Sequence, residues 1–127
     1  MAPPPGWQLI QTFYVLLLGV SAVGFVAPPF ATREGRWGLG LALANLTLVL
    51  IGAAVTWFAY RQRQRWAWWV VLATGLCYGV PMTVIDHLLV GWMGPVSVLE
   101  LLLLTLWAAG LLLGARAILG RPEADEA

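Results

Sequence analysis

The side chains able to do chemistry in this chain are few, and they gather near the ends of apolar stretches. Asp86 and His87 are adjacent at the end of one stretch, Glu100 opens the next, and Asn45 lies within an earlier one. Ionisable groups are costly inside a bilayer and persist there mainly where they do something. Asp86, His87, Glu100 and Asn45 are therefore the candidates for holding a ligand or handling protons. His87 is the only histidine. An imidazole with an unperturbed pKa of about 6.5 can shuttle protons, or serve as the axial ligand of a haem or chlorophyll-type pigment.

The same residues also have plainer structural readings. Ser97, Val98, Leu99 and Glu100 match the S-x-x-E capping box, in which the Glu side chain bonds back to the amide of the N-cap residue. Asp86 can pair with Arg33 or Arg36 on the outer surface, a contact worth only about 0–1 kcal/mol when exposed. Other chemistries find no support in the spacing. Cys77 is the only cysteine, which forbids an intrachain disulfide, a CxxC redox motif and a cysteine-cluster zinc site. Neither Ser21 nor Ser97 has a G-x-S-x-G context, and no H-x-x-x-H or E-x-x-H pair is present. No catalytic residue, no metal site and no cofactor beyond the pigment option at His87 is predicted, and the balance leans against an enzyme, with enzyme activity left open within the ligand-handling alternative below.

The elements that must position these residues are set by composition. Apolar residues make up 61% of the 127 positions and charged residues 10%, with a mean hydropathy of +0.82. A soluble domain carries roughly 25% charged residues. The formal net charge of +1 gives no field to attract nucleic acid, and the basic residues are all Arg. That usage, with abundant Ala, Gly, Pro and Trp, suits a GC-rich bacterial gene, so the expected location is the bacterial cytoplasmic (inner) membrane.

A hydrocarbon core about 30 Å thick needs about 20 helical residues. Four stretches qualify: about 7–27, 37–60, 66–90 and 96–119. The expected fold is an all-α integral membrane protein, one domain over residues 1–127, with four transmembrane helices in an antiparallel up-down bundle. Residues 120–127 form a short polar cytoplasmic tail. With the N-terminus inside, Arg61, Arg63, Arg65, Arg116 and Arg121 fall on the cytoplasmic side and only Arg33 and Arg36 outside, so both termini are read as cytoplasmic. Arg61, Arg63 and Arg65 then fix topology and touch anionic headgroups. Trp7, Trp37, Trp57, Trp66, Trp68, Trp69 and Trp92 fall near span ends, where indole prefers the headgroup level, and Trp107 lies deep. A cleaved leader is not expected, because no basic residue precedes the first apolar stretch.

Helix faces refine the picture. Glu100, Leu103, Trp107, Gly110 and Gly114 recur at spacings of three and four, and Gly110 with Gly114 makes a GxxxG pair that admits another backbone closely. The second stretch shows a similar stripe in Gly38, Ala42, Asn45, Gly52 and Thr56. These faces serve packing within the chain or an interface with another subunit. Pro81 kinks the third stretch and frees the Cys77 carbonyl, with Thr74, Tyr78 and Thr83 near enough to compensate. The bend can open a small cavity towards the outer leaflet.

In size and helix count the chain resembles small multidrug transporters, but their hallmark carboxylate in the first helix has no counterpart in residues 7–27. Asp86, His87 and Glu100 are loosely similar to the acids and histidine of sterol-isomerase-like four-helix proteins, without a motif that transfers any residue's role. Two functions are carried forward. The first is a non-catalytic accessory or structural subunit of a larger membrane complex or homo-oligomer, with the lipid bilayer and other membrane subunits, or further copies of itself, as partners. The alternative is a small-molecule, lipid or proton-handling protein using the outer-leaflet polar cluster.

Overall fold

The computed structural model describes residues 2–23 and 33–120, which form helices joined by short turns, with no strand among them. Helix α1 is Trp7–Val23. Helix α2 is Arg33–Val55, continued by one π turn, Thr56–Tyr60. Helix α3 is Arg65–Leu89, made of Arg65–Thr74, a second π turn Gly75–Gly79, and Val80–Leu89. Helix α4 is Pro95–Leu119. Lipid offers backbone groups no hydrogen-bond partner, and helices satisfy them within the segment.

Three helical stretches are long and apolar enough to cross a membrane: Gly40–Tyr60, Arg65–Leu89 and Pro95–Leu119. The last two hold 25 residues each, about 37 Å at a rise of about 1.5 Å per residue, which exceeds a core of about 30 Å. The apolar part of α1, Trp7–Ser21, is shorter, and residues 24–27 of the expected first span lie outside the described residues. So do the tail residues 121–127. The second helix begins earlier than expected, because its backbone is already helical at Arg33. Arg33, Glu34 and Arg36 thus belong to a helix and not to a loop, and an acid near a helix start favours that extension.

The outward faces remain apolar: Leu88 is 79% exposed and Leu89 80%, with Leu41, Phe58 and Leu112 similarly bare. Contiguous apolar surface of this extent is unstable against water and is at ease in lipid. Inside, α1 packs on α4 and α2, while α3 touches both α2 and α4. The core comprises Ile10, Phe13 and Tyr14 from α1, Val49 and Tyr60 from α2 and its π turn, Ala67 and Val71 from α3, and Leu103, Trp107, Leu111 and Ile118 from α4.

Buried polar tips of the core aromatics find main-chain acceptors. The Tyr60 hydroxyl donates to the Gly110 carbonyl at 3.0 Å, Trp107 Nε1 to Val71 O at 2.9 Å, and Trp68 Nε1 to Leu111 O at 3.1 Å. Each bond ties α4 to the helix across from it and meets a donor that would otherwise be stranded. The glycines make room for these rings. A Cβ at Gly114 would strike the Tyr60 hydroxyl, one at Gly52 the Tyr14 ring, and one at Gly75 the Trp107 indole. Gly110 lies against Ile10 and the Gly6 carbonyl.

One end of the molecule is tied together. Arg63 Nε donates to Ala2 O at 3.1 Å, Arg61 lies over the rings of Trp7 and Trp57 at 5.4 and 5.0 Å, and Gly114 lies near Pro5 O. The N-terminal segment, the connection between α2 and α3, and the later turns of α4 therefore share that end. The other connection, between α3 and α4, turns at Gly91 and Gly94, both at positive φ.

Candidate functional site

The site begins with a shift in where α4 starts. Gly94, at φ 61°, precedes Pro95, whose fixed φ and missing N–H suit the first helical position. The helix therefore starts before Ser97, and the expected capping box does not form. Ser97 Oγ instead accepts from the Met93 N–H at 2.9 Å, reaching back across the helix start, and Ser97 is fully buried. Glu100 is released from any capping role and faces α3.

On α3, His87 Nδ1 lies 2.8 Å from the Thr83 carbonyl. A carbonyl only accepts, so in the neutral ring Nδ1 carries the proton and Nε2 carries the lone pair. That Nε2 is buried with no hydrogen-bond partner among the described residues. His87 Nδ1 also stands 3.7 Å from Glu100 Oε2, and its ring lies 6.1 Å from that of Trp92. The carboxyl groups of Asp86 and Glu100 stand within reach of each other across the α3–α4 contact. Glu100 Oε2 is itself buried and unpartnered.

The groups open onto a cavity of about 270 Å³ lined by all four helices. Asp86, Glu100 and Asn45 line it, while His87 stands behind Glu100 and does not. Asn45 Nδ2 donates to Ser21 Oγ at 2.9 Å, which links α2 to α1, and its Oδ1 is left without a partner. The remaining wall is apolar and aromatic: Phe13 and Tyr14 from α1, Tyr78 and Met82 from α3, Leu99 and Leu103 from α4.

The cavity lies where α3 departs from α-helical geometry. Residues Thr74, Gly75, Tyr78 and Gly79, in and beside the π turn, all line it. The Val80 N–H bonds Gly75 O, which closes the wide turn, and Pro81 offers no N–H to the Cys77 carbonyl. Thr83 Oγ1 donates to Gly79 O at 3.0 Å and Thr74 Oγ1 to Val70 O at 2.8 Å, so these hydroxyls serve carbonyls either side of the turn and not that of Cys77. Two glycines in the turn leave space on the inner wall. Gly75 yields to Trp107, while a Cβ at Gly79 would meet only Leu104 Cδ2, at 3.7 Å.

Of the residues singled out in the sequence, Asp86, Glu100 and Asn45 meet at one cavity with His87 adjoining. Gly110, Gly114, Trp107 and Gly52 are placed in contacts within the chain, and the surroundings of Gly38 and the side chains of Arg33 and Arg36 lie outside what is described. Phe13 and Tyr14 were missed, and Tyr78 was singled out only as a neighbour of the Pro81 kink. Their signal is an aromatic in an otherwise aliphatic helix, too common in membrane segments to single out. Among the described residues no group of three His, Cys, Asp or Glu side chains is placed to hold a metal ion. His87 Nε2 could serve as a lone axial ligand, but it does not line the cavity.

No protein-family model matches the chain, and neither a curated protein nor a solved structure does. Chemically, the site is an apolar chamber with unpaired acceptors at one end.

Proposed function

We propose that this chain is a multi-pass protein of the bacterial inner membrane that binds a small, largely apolar molecule between its helices. In this reading it crosses the bilayer four times as an antiparallel up-down bundle. The arginine-rich 61–65 connection and both termini are cytoplasmic, and the polar end of the cavity faces the outer leaflet. The arginine bias supports that orientation, and the tie between Ala2 and Arg63 supports placing the N-terminus and the 61–65 connection on the same side. The observation that carries the reading is the pairing of an apolar cavity of about 270 Å³ with buried, unpartnered polar atoms on Asn45, Glu100 and Tyr14. Concave, mostly apolar pockets with a few polar groups are where proteins hold small ligands.

The accessory-subunit reading drew on short loops and the lack of cofactor motifs or a dense polar core, with the small-residue faces as its candidate interface. Gly110, Gly114 and Gly52 are occupied by Ile10, Tyr60 and Tyr14 of the same chain, which takes these three positions out of the candidate interface and lends support to the ligand reading. Gly79→Leu tests it, because the added side chain would fill the cavity where glycine leaves room. Native mass spectrometry of the full chain extracted in mild detergent is expected to show a retained small molecule on the wild type and none on Gly79→Leu. A bare wild-type mass, or the same adduct on both, would count against the pocket.

A further inference from the structure

The unpaired atoms around the cavity share one chemical character. Glu100 Oε2 and Asn45 Oδ1 are acceptors, both buried without a partner. Asp86 adds a second carboxylate facing that of Glu100. His87 Nε2, beside Glu100, is a lone pair because Nδ1 donates to Thr83 O. Against these stands the Tyr14 hydroxyl, which lines the cavity, is unpartnered, and belongs to a side chain only 1% exposed. Among the described residues no Arg lines the cavity. A site with this balance has more acceptors than its own donors can satisfy, and buried acceptors without partners cost about 1–3 kcal/mol each.

Resting on the ligand-binding reading above, we infer that the molecule bound carries a cationic, donor-rich head, such as a primary ammonium, seated between Asp86 and Glu100. Its apolar body lies along Phe13, Tyr14 and Tyr78. A cation seated between the two carboxyl groups is attracted by both, and its N–H groups reach the free oxygens. Tyr14 and Tyr78 offer π faces, which attract the positive end of the same ligand. An anionic head would meet two acidic side chains and, among the described residues, no basic group. A neutral alcohol could supply one donor but would gain no charge attraction from the acidic pair. A bare metal ion finds too few ligands among the described residues.

The test uses the full chain in nanodiscs of zwitterionic lipid with three probes of one shape: 3-phenylpropylammonium, 3-phenylpropanol and 3-phenylpropionate. Affinity is read from tryptophan fluorescence, since Trp107 lies directly behind the cavity wall at Gly75. The ammonium is expected to bind about ten-fold or more tightly than the alcohol, the yield of one charge-assisted hydrogen bond, with the propionate weakest. In the Asp86→Asn, Glu100→Gln double variant that advantage is expected to vanish while affinity for the alcohol persists. Should this variant fail to fold, the three-probe ranking in the wild type decides by itself. Alcohol binding as tight as ammonium, both abolished by Gly79→Leu, overturns the cationic head and leaves the pocket standing. Binding of all three probes that is indifferent to Gly79→Leu overturns both.

Discussion

At the scale of single residues, the molecule is organised by rings placed where glycine has removed a side chain. The consequence is a sharp contrast between glycines that look alike in the sequence. A methyl at Gly75 would enter the Trp107 indole, whereas Gly40 has open space around its missing Cβ. Gly75→Ala is therefore expected to destabilise the protein by about 1–3 kcal/mol through overpacking, and Gly40→Ala to stay within about 0.5 kcal/mol of the wild type. Reversible unfolding in mixed micelles measures both, and equal effects would contradict the packing. A second prediction concerns the Trp107 hydrogen bond to Val71 O. Trp107→Phe keeps the aromatic bulk and removes this bond, while Val71 O still accepts from the Gly75 N–H, so it should cost about 0.5–1.5 kcal/mol beyond any loss of ring area. What the sequence could convey at this scale was the presence of Asp86, His87, Glu100 and Asn45. It could not convey that Tyr14 joins them, because helix rotation about the axis depends on contacts that a period-3.6 pattern in a uniformly apolar segment does not encode.

At the scale of elements, the two departures from α-helical hydrogen bonding matter most. The Gly75–Gly79 π turn inserts an extra residue into α3 and sets the facing of everything after it, including Thr83 and Asp86. Removing one residue from the turn, Leu76, which points outward at 53% exposure, would rotate the following segment by about 100°. The expected outcome is retained helical circular dichroism with loss of small-molecule retention. Unchanged retention would show that the turn does not aim the site. Pro81 announced a disturbance in the third helix, and the cavity does lie beside it, but the π geometry was hidden because no local residue pattern specifies an i→i−5 bond. The start of α4 shows the opposite case: Gly94 and Pro95 were legible punctuation. The S-x-x-E match drew attention to Ser97 instead, although a proline at the first helical position is the stronger signal.

For the whole molecule, composition made the helical, membrane-compatible character plain, since only a helix satisfies its own backbone across so long an apolar run. Orientation is a different matter, resting on arginine placement. In a Cys77→Ser background, Gln62→Cys is expected to react with an impermeant maleimide only after cells are opened, and Trp92→Cys to react from outside intact cells. The reverse pattern would turn the polar end of the cavity towards the cytoplasm. Either outcome leaves the internal contacts intact, since Arg63, Ala2 and the Trp7–Trp57 pair remain at one end whichever side that end faces.

The most direct measurement is photocrosslinking inside living membranes, with a diazirine amino acid placed either at Leu104, on the cavity wall, or at Leu112, 74% exposed on the outer face. Mass analysis of the adducts should find a small molecule of one mass at Leu104 that is absent at Leu112, where phospholipid dominates. The same set of phospholipid adducts at both positions would mean that the chamber is merely a lipid-filled groove.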